Sequence, residues 1–458
     1  MKRLWLWLST LFLLPAFFYS GPGLVDDAEI LWRWQEIVRR GLPAVAELLS
    51  ESANGRFRPL YHAWFLLLPI IAGSRMWFWT LFNLVWLWLM LWLVYRFVRR
   101  TLSPRWSVIL AASILLLPSA AGNFYRFGTP EPRQLVFLLL SLWFFGRGKI
   151  TGGLIAWLSA LWTKETSLFF TPGVLLWAWP ALPKGRTRWL TSTAIIALSV
   201  FTAWLIPPGS GHAGNFVLTF SQAAHLWFDH ARVAWPETYY GFWIILAGLV
   251  MLGVRAKRQP TIRAEVRLAT RWFALTLCAW LPLLFWTIPL ERYSLLLHAF
   301  LLLTLSAIAP LWIDQFWRRR QAVGWYAVLA GLLLLLVPPW QLIKMGPGAL
   351  YRTGTEVANW SRNYRQNGEL SRRLRSDPTK AWYVDSVDLE YNFAIGLYAS
   401  RLQPADARTR IITRFSFPQP IFLQDDNPAE AFGRYCFHDC ALLRQSNAGW
   451  QITGPEEK

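Results

Sequence analysis

From Leu4 onward the chain is a succession of apolar runs, each followed by a short polar or basic joint. Met76 to Tyr95 carries no charge, and neither does Tyr293 to Trp312. Runs of this kind approach the roughly 20 residues a helix needs to cross a bilayer. Inside lipid every backbone N–H and C=O must be satisfied within its own segment or a closed barrel, and unalternating runs of this length suit helices. The sequence therefore predicts an all-α polytopic membrane protein with a polar remainder. The net charge of +20 would point to nucleic acid in a soluble chain. Here Arg and Lys gather at alternate ends of the runs, which topology explains better, so nucleic acid is excluded as a partner.

Spans are expected at Leu4–Tyr19, Met76–Tyr95, Trp106–Ala121, Gln134–Phe145, Ile150–Trp162, Ser167–Trp179, Trp189–Ile206, Tyr240–Val254, Trp272–Ile288, Tyr293–Trp312 and Val323–Pro338. The first reads as an uncleaved span, because the start lacks a small-x-small cleavage site. Leu60–Ala72 is short and holds His62 and Pro69, and is expected as a juxtamembrane or re-entrant helix. Lys2 and Arg3, Arg96 to Arg105, Arg147 and Lys149, Lys184 to Arg188, Arg255 to Arg271 and Arg318 to Arg320 mark the inner side. The count is about eleven spans, which places the C-terminus outside. Two parts follow: a membrane domain over 1–340 with an outer first loop at 21–60, and a small extracytoplasmic α/β domain over 341–458. In the latter, Trp382–Val384, Arg410–Thr413 and Ile421–Leu423 read as strands; Leu350–Leu374 and Val387–Ser400 read as helical.

The first loop opens with Asp26-Asp27 and continues as an amphipathic pattern: Ile30, Leu31, Trp34, Ile37 and Val38 on one face, Glu29, Arg33, Glu36 and Arg40 on the other. Such a helix suits a membrane interface. The adjacent carboxylates either cap that helix or do chemistry at the mouth of a span. Between Tyr61 and Trp340 there are only seven acids. Glu131, Glu165, Asp229, Glu237 and Glu291 fall at outer ends, and Glu265 and Asp314 at inner ones. The outer acids are accompanied by Arg58, Arg126, Lys164 and Arg292, with Tyr293 beside the last. Taken one at a time, Lys164–Glu165 and Glu291–Arg292 read as interfacial ion pairs. Together, carboxylates and fixed cations suit deprotonation of a hydroxyl next to a bound phosphate.

The order of these features is a first span, an outer Asp-Asp, an amphipathic helix, Arg58-Pro59-Leu60, Glu131 after the third span and Lys164 before a later one. It resembles the GT-C superfamily of integral-membrane glycosyltransferases, and within it the protein O-mannosyltransferase and lipid A aminoarabinose transferase branch. The likeness covers about residues 1–310 and implies a GT-C-like fold, a polyprenyl-phosphate sugar donor and a lipid, glycan or protein acceptor. It implies Asp26 as general base with Asp27 in support, and Glu131 as the second acid, which in some members helps bind a metal or position the acceptor. Arg58 stands where the family has His or Lys in x-Pro-Pro-Leu, here with one Pro. Lys164, Arg292 and Tyr293 would face the donor phosphate, and Glu165 stands where several members have Gly. The cofactor is left open, a divalent metal being the candidate. The resemblance further implies a bacterial cytoplasmic (inner) membrane location with the site facing the periplasm.

Weaker signals are His212, His225, Asp229 and His230 in one outer loop, expected to be a loop rather than a metal site. Cys436 and Cys440 are expected as a disulfide on an oxidising side. His298, inside a span, is expected to be packed. A transporter or flippase for lipid-linked sugar, and a non-catalytic GT-C-like membrane protein, stand as alternatives. The former would place acids or broken helices at mid-membrane depth.

Overall fold

The computed structural model describes residues 2–18, 37–38, 40–50, 57–72, 76–206, 236–284, 291–317 and 351–362, with residues 219, 221 and 365 and five strands beyond 380. The described part is mostly helical: α1 Lys2–Phe17, α2 Leu42–Ser50, α3 Pro59–Ala72, α4 Met76–Val98, α5 Pro104–Ala112, α6 Pro118–Phe124, α7 Glu131–Phe145, α8 Ile150–Thr163, α9 Thr171–Ala178, α10 Arg186–Trp204, α11 Pro236–Arg258, α12 Arg263–Leu284 and α13 Leu295–Trp317. Residues 351–362 are also helical.

Two described helices, Trp77–Val98 and Arg292–Leu311, are long and apolar enough to cross a membrane. Their neighbours turn large apolar side chains outward: Trp7, Leu11, Ile155, Trp189, Val200 and Trp204 are all exposed. An outer surface of this kind belongs to a membrane protein. By the same measure of length and apolarity, the described residues hold two spans, or three if one bent pair is a single span, where the sequence suggested about eleven. Three expected spans, short already by their sequence bounds, fold as helices below that measure: α7 has 15 residues, α8 has 14 and α9 has 8.

The expected straight span Trp106–Ala121 is broken. α5 tightens into a 3-10 turn at Ser113–Leu116, and α6 leaves at 68°. The cause is Pro118, which has no N–H to continue the helix and drives the preceding residue out of the helical region. Leu117 is extended, at φ −94° and ψ 139°.

α7 packs along α8, α12 along α13, and α1 along α4. Aromatic residues fill the seams at edge-on angles, as between Phe97 and Trp143, Trp177 and Trp272. Small hydroxyls bond between helices, Thr276 with Thr304 at 3.2 Å and Thr171 with Ser199 at 3.1 Å, and the Trp177 indole donates to Leu142 O at 2.8 Å. Such bonds hold helices together where water cannot compete.

Beyond residue 380, β1 Ala381–Asp385, β2 Ile411–Thr413, β3 Leu423–Gln424, β4 Cys440–Ser446 and β5 Gly449–Thr453 form one sheet in the order β3-β2-β1-β4-β5. Its first four strands are parallel, and β5 runs antiparallel to β4. Trp382 lies level with Ile411 on one side and Ala441 on the other. β1 and β2 fall where the sequence put strands. β4 and β5 do not. For β4, Cys440-Ala-Leu-Leu-Arg has helix-favouring residues and no alternation, and strand preference depends on the neighbouring strands more than on the segment. The first loop's Asp26, Asp27 and most of its amphipathic helix lie outside the described residues, as do the expected span Val323–Pro338, the histidines of the outer loop, and Cys436.

Candidate active site

The candidate site forms where α8 ends and α7 begins. Lys164 terminates α8 in an extended conformation, at φ −156° and ψ 129°. In extended backbone, successive side chains point to opposite sides. Lys164 and Glu165 therefore cannot pair with each other, and each finds a distant partner. The Lys164 ammonium donates to Glu131 Oε1 at 2.5 Å. Glu165 accepts a two-pronged bond from Arg58, whose Nε and one terminal nitrogen reach its two carboxylate oxygens. The expectation of a local Lys164–Glu165 ion pair is thus corrected. The pairs are Lys164–Glu131 and Arg58–Glu165, joining α7, α8, the 3-10 turn Glu165–Phe170 and the start of α3.

The two pairs differ in solvent access. The Glu131 and Lys164 side chains are 3% and 10% exposed, whereas a quarter of Glu165 is open. Burial alone would raise the Glu165 carboxyl, but the Arg58 charge and hydrogen bonds, aided by Lys164, hold it down at about 2. Burial also opposes ionisation of Glu131; Lys164 and Arg292 outweigh it and keep its pKa below the usual carboxylate value. Oε2 of Glu131 is buried with no hydrogen-bond partner among the described residues.

Tyr293 closes the cluster. The Lys164 ammonium lies 4.9 Å from its ring centroid and the Arg292 guanidinium 5.2 Å. Arg292 is held in place through its carbonyl, which accepts from Asn123 Nδ2 at 2.7 Å. Arg58 lies 5.9 Å from the ring of Tyr61, whose hydroxyl donates to Gly128 O at 2.6 Å. The loop between α6 and α7 is fixed from both sides. Asn83 Nδ2 donates to the carbonyls of Phe124 and Arg126, each at 3.0 Å. Buried Arg133 donates to Thr129 O and Phe127 O. Gln134 holds the 3-10 turn through Thr166 and Ser167.

Of the residues expected from the sequence, Arg58, Glu131, Lys164, Arg292 and Tyr293 come together, and Glu165 joins them. Arg126 lies in the same loop system, 4.4 Å from the ring centroid of Trp360. Helix 351–362 also donates from Thr353 to Leu116 O at 2.8 Å, so it rests on the bent α5–α6 pair. The Glu291 side chain is outside the described residues, with Asp26 and Asp27. His298 is more than packed: Nδ1 is 2.8 Å from Ser119 Oγ and 3.3 Å from Ser294 Oγ. Sequence reasoning missed Asn83, Asn123, Tyr61 and Gln134. A signal existed for the two asparagines, since a side-chain amide within an apolar run is costly unless bonded.

No protein-family model matches the chain, and no curated protein sequence does. Among solved structures the chain is similar to the crystal structure of the Archaeoglobus fulgidus oligosaccharyltransferase in its apo form, with 11% identity and a TM-score of 0.48 over 87% of this chain and 64% of that one. The same enzyme tethered to an acceptor peptide containing the NVT sequon gives a TM-score of 0.48 and 11% identity over 87% and 62%. The chain thus spans less than two thirds of the length of either structure.

Proposed function

We propose that this chain is a membrane glycosyltransferase of the GT-C type. It moves a sugar from a polyprenyl-phosphate carrier to a hydroxyl acceptor at the outer face of a bacterial cytoplasmic membrane. The observation that carries the proposal is the convergence of Arg58, Lys164 and Arg292, from three separate elements, with Glu131, Glu165 and Tyr293 at one end of the helices. Cations brought to that end by separate elements suit the oxygens of a lipid phosphate.

The step is a single inverting displacement. The acceptor hydroxyl gives its proton to Asp26, and its oxygen forms the new bond to the anomeric carbon. The bond from that carbon to the phosphate oxygen breaks, and the electron pair leaves with the lipid phosphate. Charge grows on that leaving group, so cations held in place before reaction lower the barrier. Lys164 and Arg58 are oriented in advance by their carboxylates. Asp27 supports Asp26, and the first-loop helix holds the carrier at the interface. Among the described residues no three metal-ligating side chains cluster.

One observation favours the transporter reading, namely the 68° break between α5 and α6. Against it, Glu131 and Glu165 stand at the first residues of their helical segments rather than midway along a span. The test is comparative mass spectrometry of membrane lipids and surface glycans from cells with and without the gene, complemented by wild type or by Asp26→Asn. Transfer predicts one acceptor lacking a single sugar, restored by wild type alone. A normal set of glycosylated acceptors in the deletion strain would contradict it.

A further inference from the structure

At the other end of α7 from Glu131, three arginines converge on one indole. The guanidinium carbons of Arg96, Arg100 and Arg147 lie 5.1, 5.3 and 4.1 Å from the ring centroid of Trp143. Sharing one ring, they stand within about 10 Å of one another, comparable with the screening length of salt water. Arg96 also faces Trp92 at 5.9 Å, and Arg100 faces Phe97 at 4.9 Å.

The platform beneath them is fixed. Trp143 is buried, edge-on to Phe97 at 5.7 Å, and Phe97 is itself locked against Trp177 and Trp272. Arg147 is thrown back over Trp143 by the way α7 ends. Gly148 takes the left-handed conformation at φ 70°, its N–H bonds Phe145 O, and the N–H of Lys149 bonds Phe144 O. That pair of bonds is the glycine-dependent helix stop, which a residue with a Cβ adopts only at a cost.

All three arginines are exposed, and among the described residues none pairs with a carboxylate. The one described acid in the basic joint near this end, Glu265, is not joined to them. The side of Arg100 laid against Phe97 and Trp143 is desolvated; this first, and then the charges of Arg147 and Arg96, lowers its pKa, as expected of like charges held close. Three exposed guanidiniums gathered against their own repulsion suit an anion with several acceptor oxygens. Arg96 lies in the last turn, and Arg100 just past the end, of a helix long enough to span, where a spanning helix meets lipid headgroups.

We infer that Arg96, Arg100 and Arg147, gathered on Trp143, form a binding site for the phosphate of an anionic phospholipid in the leaflet opposite the acid cluster. A charge bias between membrane faces accounts for arginines at this end. It does not account for three of them on one ring, and Lys257 and Arg258 at the end of α11 show no such gathering. The site is independent of the transfer reaction.

The test uses the full chain in neutral detergent, titrated with dioleoyl-phosphatidylglycerol or dioleoyl-phosphatidylcholine and read by native mass spectrometry. Wild type is expected to prefer phosphatidylglycerol by on the order of 100-fold, from about a factor of five per arginine near a phosphate. Arg96→Gln/Arg100→Gln/Arg147→Gln should lower that preference to within about threefold, while Lys257→Gln/Arg258→Gln should keep it. The triple lysine variant separates the geometry from bare charge: it keeps the charge but neither stacks nor forks, so its preference should fall below wild type and stay above the glutamine variant. Equal binding of the two lipids by wild type overturns the inference whatever the variants do. So does an unchanged preference in the triple glutamine variant, or in Arg147→Gln alone should the triple fail to fold. Competition by millimolar inorganic phosphate as effective as by lipid would assign the site to a soluble anion and overturn the lipid claim.

Discussion

Removing the Lys164 ammonium strands a buried carboxylate. Glu131 is 3% exposed, its Oε1 accepts from Lys164, and its Oε2 has no described partner. Lys164→Met keeps the length of the chain and deletes the charge. Breaking a buried pair from one side costs roughly 3–5 kcal/mol, because the remaining charge stays desolvated. The Arg58–Glu165 pair gives an internal comparison. With a quarter of Glu165 open to solvent, Arg58→Met should cost only about 1–2 kcal/mol, between the surface and buried regimes. The double variant Lys164→Met/Glu131→Leu removes both charges and should recover most of the loss, since an apolar pair of similar volume is often neutral. The assay is unfolding in mixed micelles by added dodecyl sulfate, followed by tryptophan fluorescence. The Lys164→Met penalty should also shrink as pH falls and the stranded carboxyl takes a proton. Wild-type stability of Lys164→Met, or a double variant no better than the single, would refute the reasoning.

Glu165 contributes a second pH effect. Its folded pKa, about 2, lies below its ordinary 4.5, so the stability it brings is complete above about pH 4.5 and is lost as pH falls toward about 2. Unfolding midpoints from pH 6 to 3 should show that slope in wild type and a shallower one in Glu165→Gln; equal slopes would contradict the assignment. Gly153→Ala would put a methyl 2.5 Å from the buried Phe145 ring. Overpacking should cost about 1–3 kcal/mol, more than the roughly 1 kcal/mol of helix propensity gained, and Phe145→Leu should relieve it in the same unfolding assay. Asp26→Asn keeps the shape of a helix cap and loses the proton acceptor, so turnover should fall on the order of 100-fold with donor binding little changed. Near-normal transfer by inserted Asp26→Asn protein would leave only the capping role.

The charged residues of the site were legible because they are rare in an apolar chain, and an ionisable group at membrane level stands out. Arg58, Glu131, Lys164 and Arg292 were visible in this way, and Tyr293 only as the neighbour of Arg292. Their partners were not. Adjacent Lys164 and Glu165 looked like a pair, and only the extended backbone at Lys164 sends them to different helices. The break at Leu117 could have been read from Pro118, but hydropathy averaged across 106–121 hides a single proline. Asn83 and Asn123 shape the site through backbone carbonyls, and nothing local in the sequence names a carbonyl as partner. Strand β4 was illegible for the converse reason: its residues favour helix, and only its neighbours make it a strand.

The most direct test of the central claim is release of polyprenyl phosphate. Purified chain in lipid nanodiscs would be given polyprenyl-phosphate hexoses and pentoses with a membrane lipid extract as acceptor, and free polyprenyl phosphate would be followed by mass spectrometry. The account predicts release, with the sugar inverted on the acceptor, by wild type, and loss of release in Lys164→Met/Glu131→Leu protein that unfolds like wild type. No release from any such donor, or equal release by that stable double variant, would contradict it.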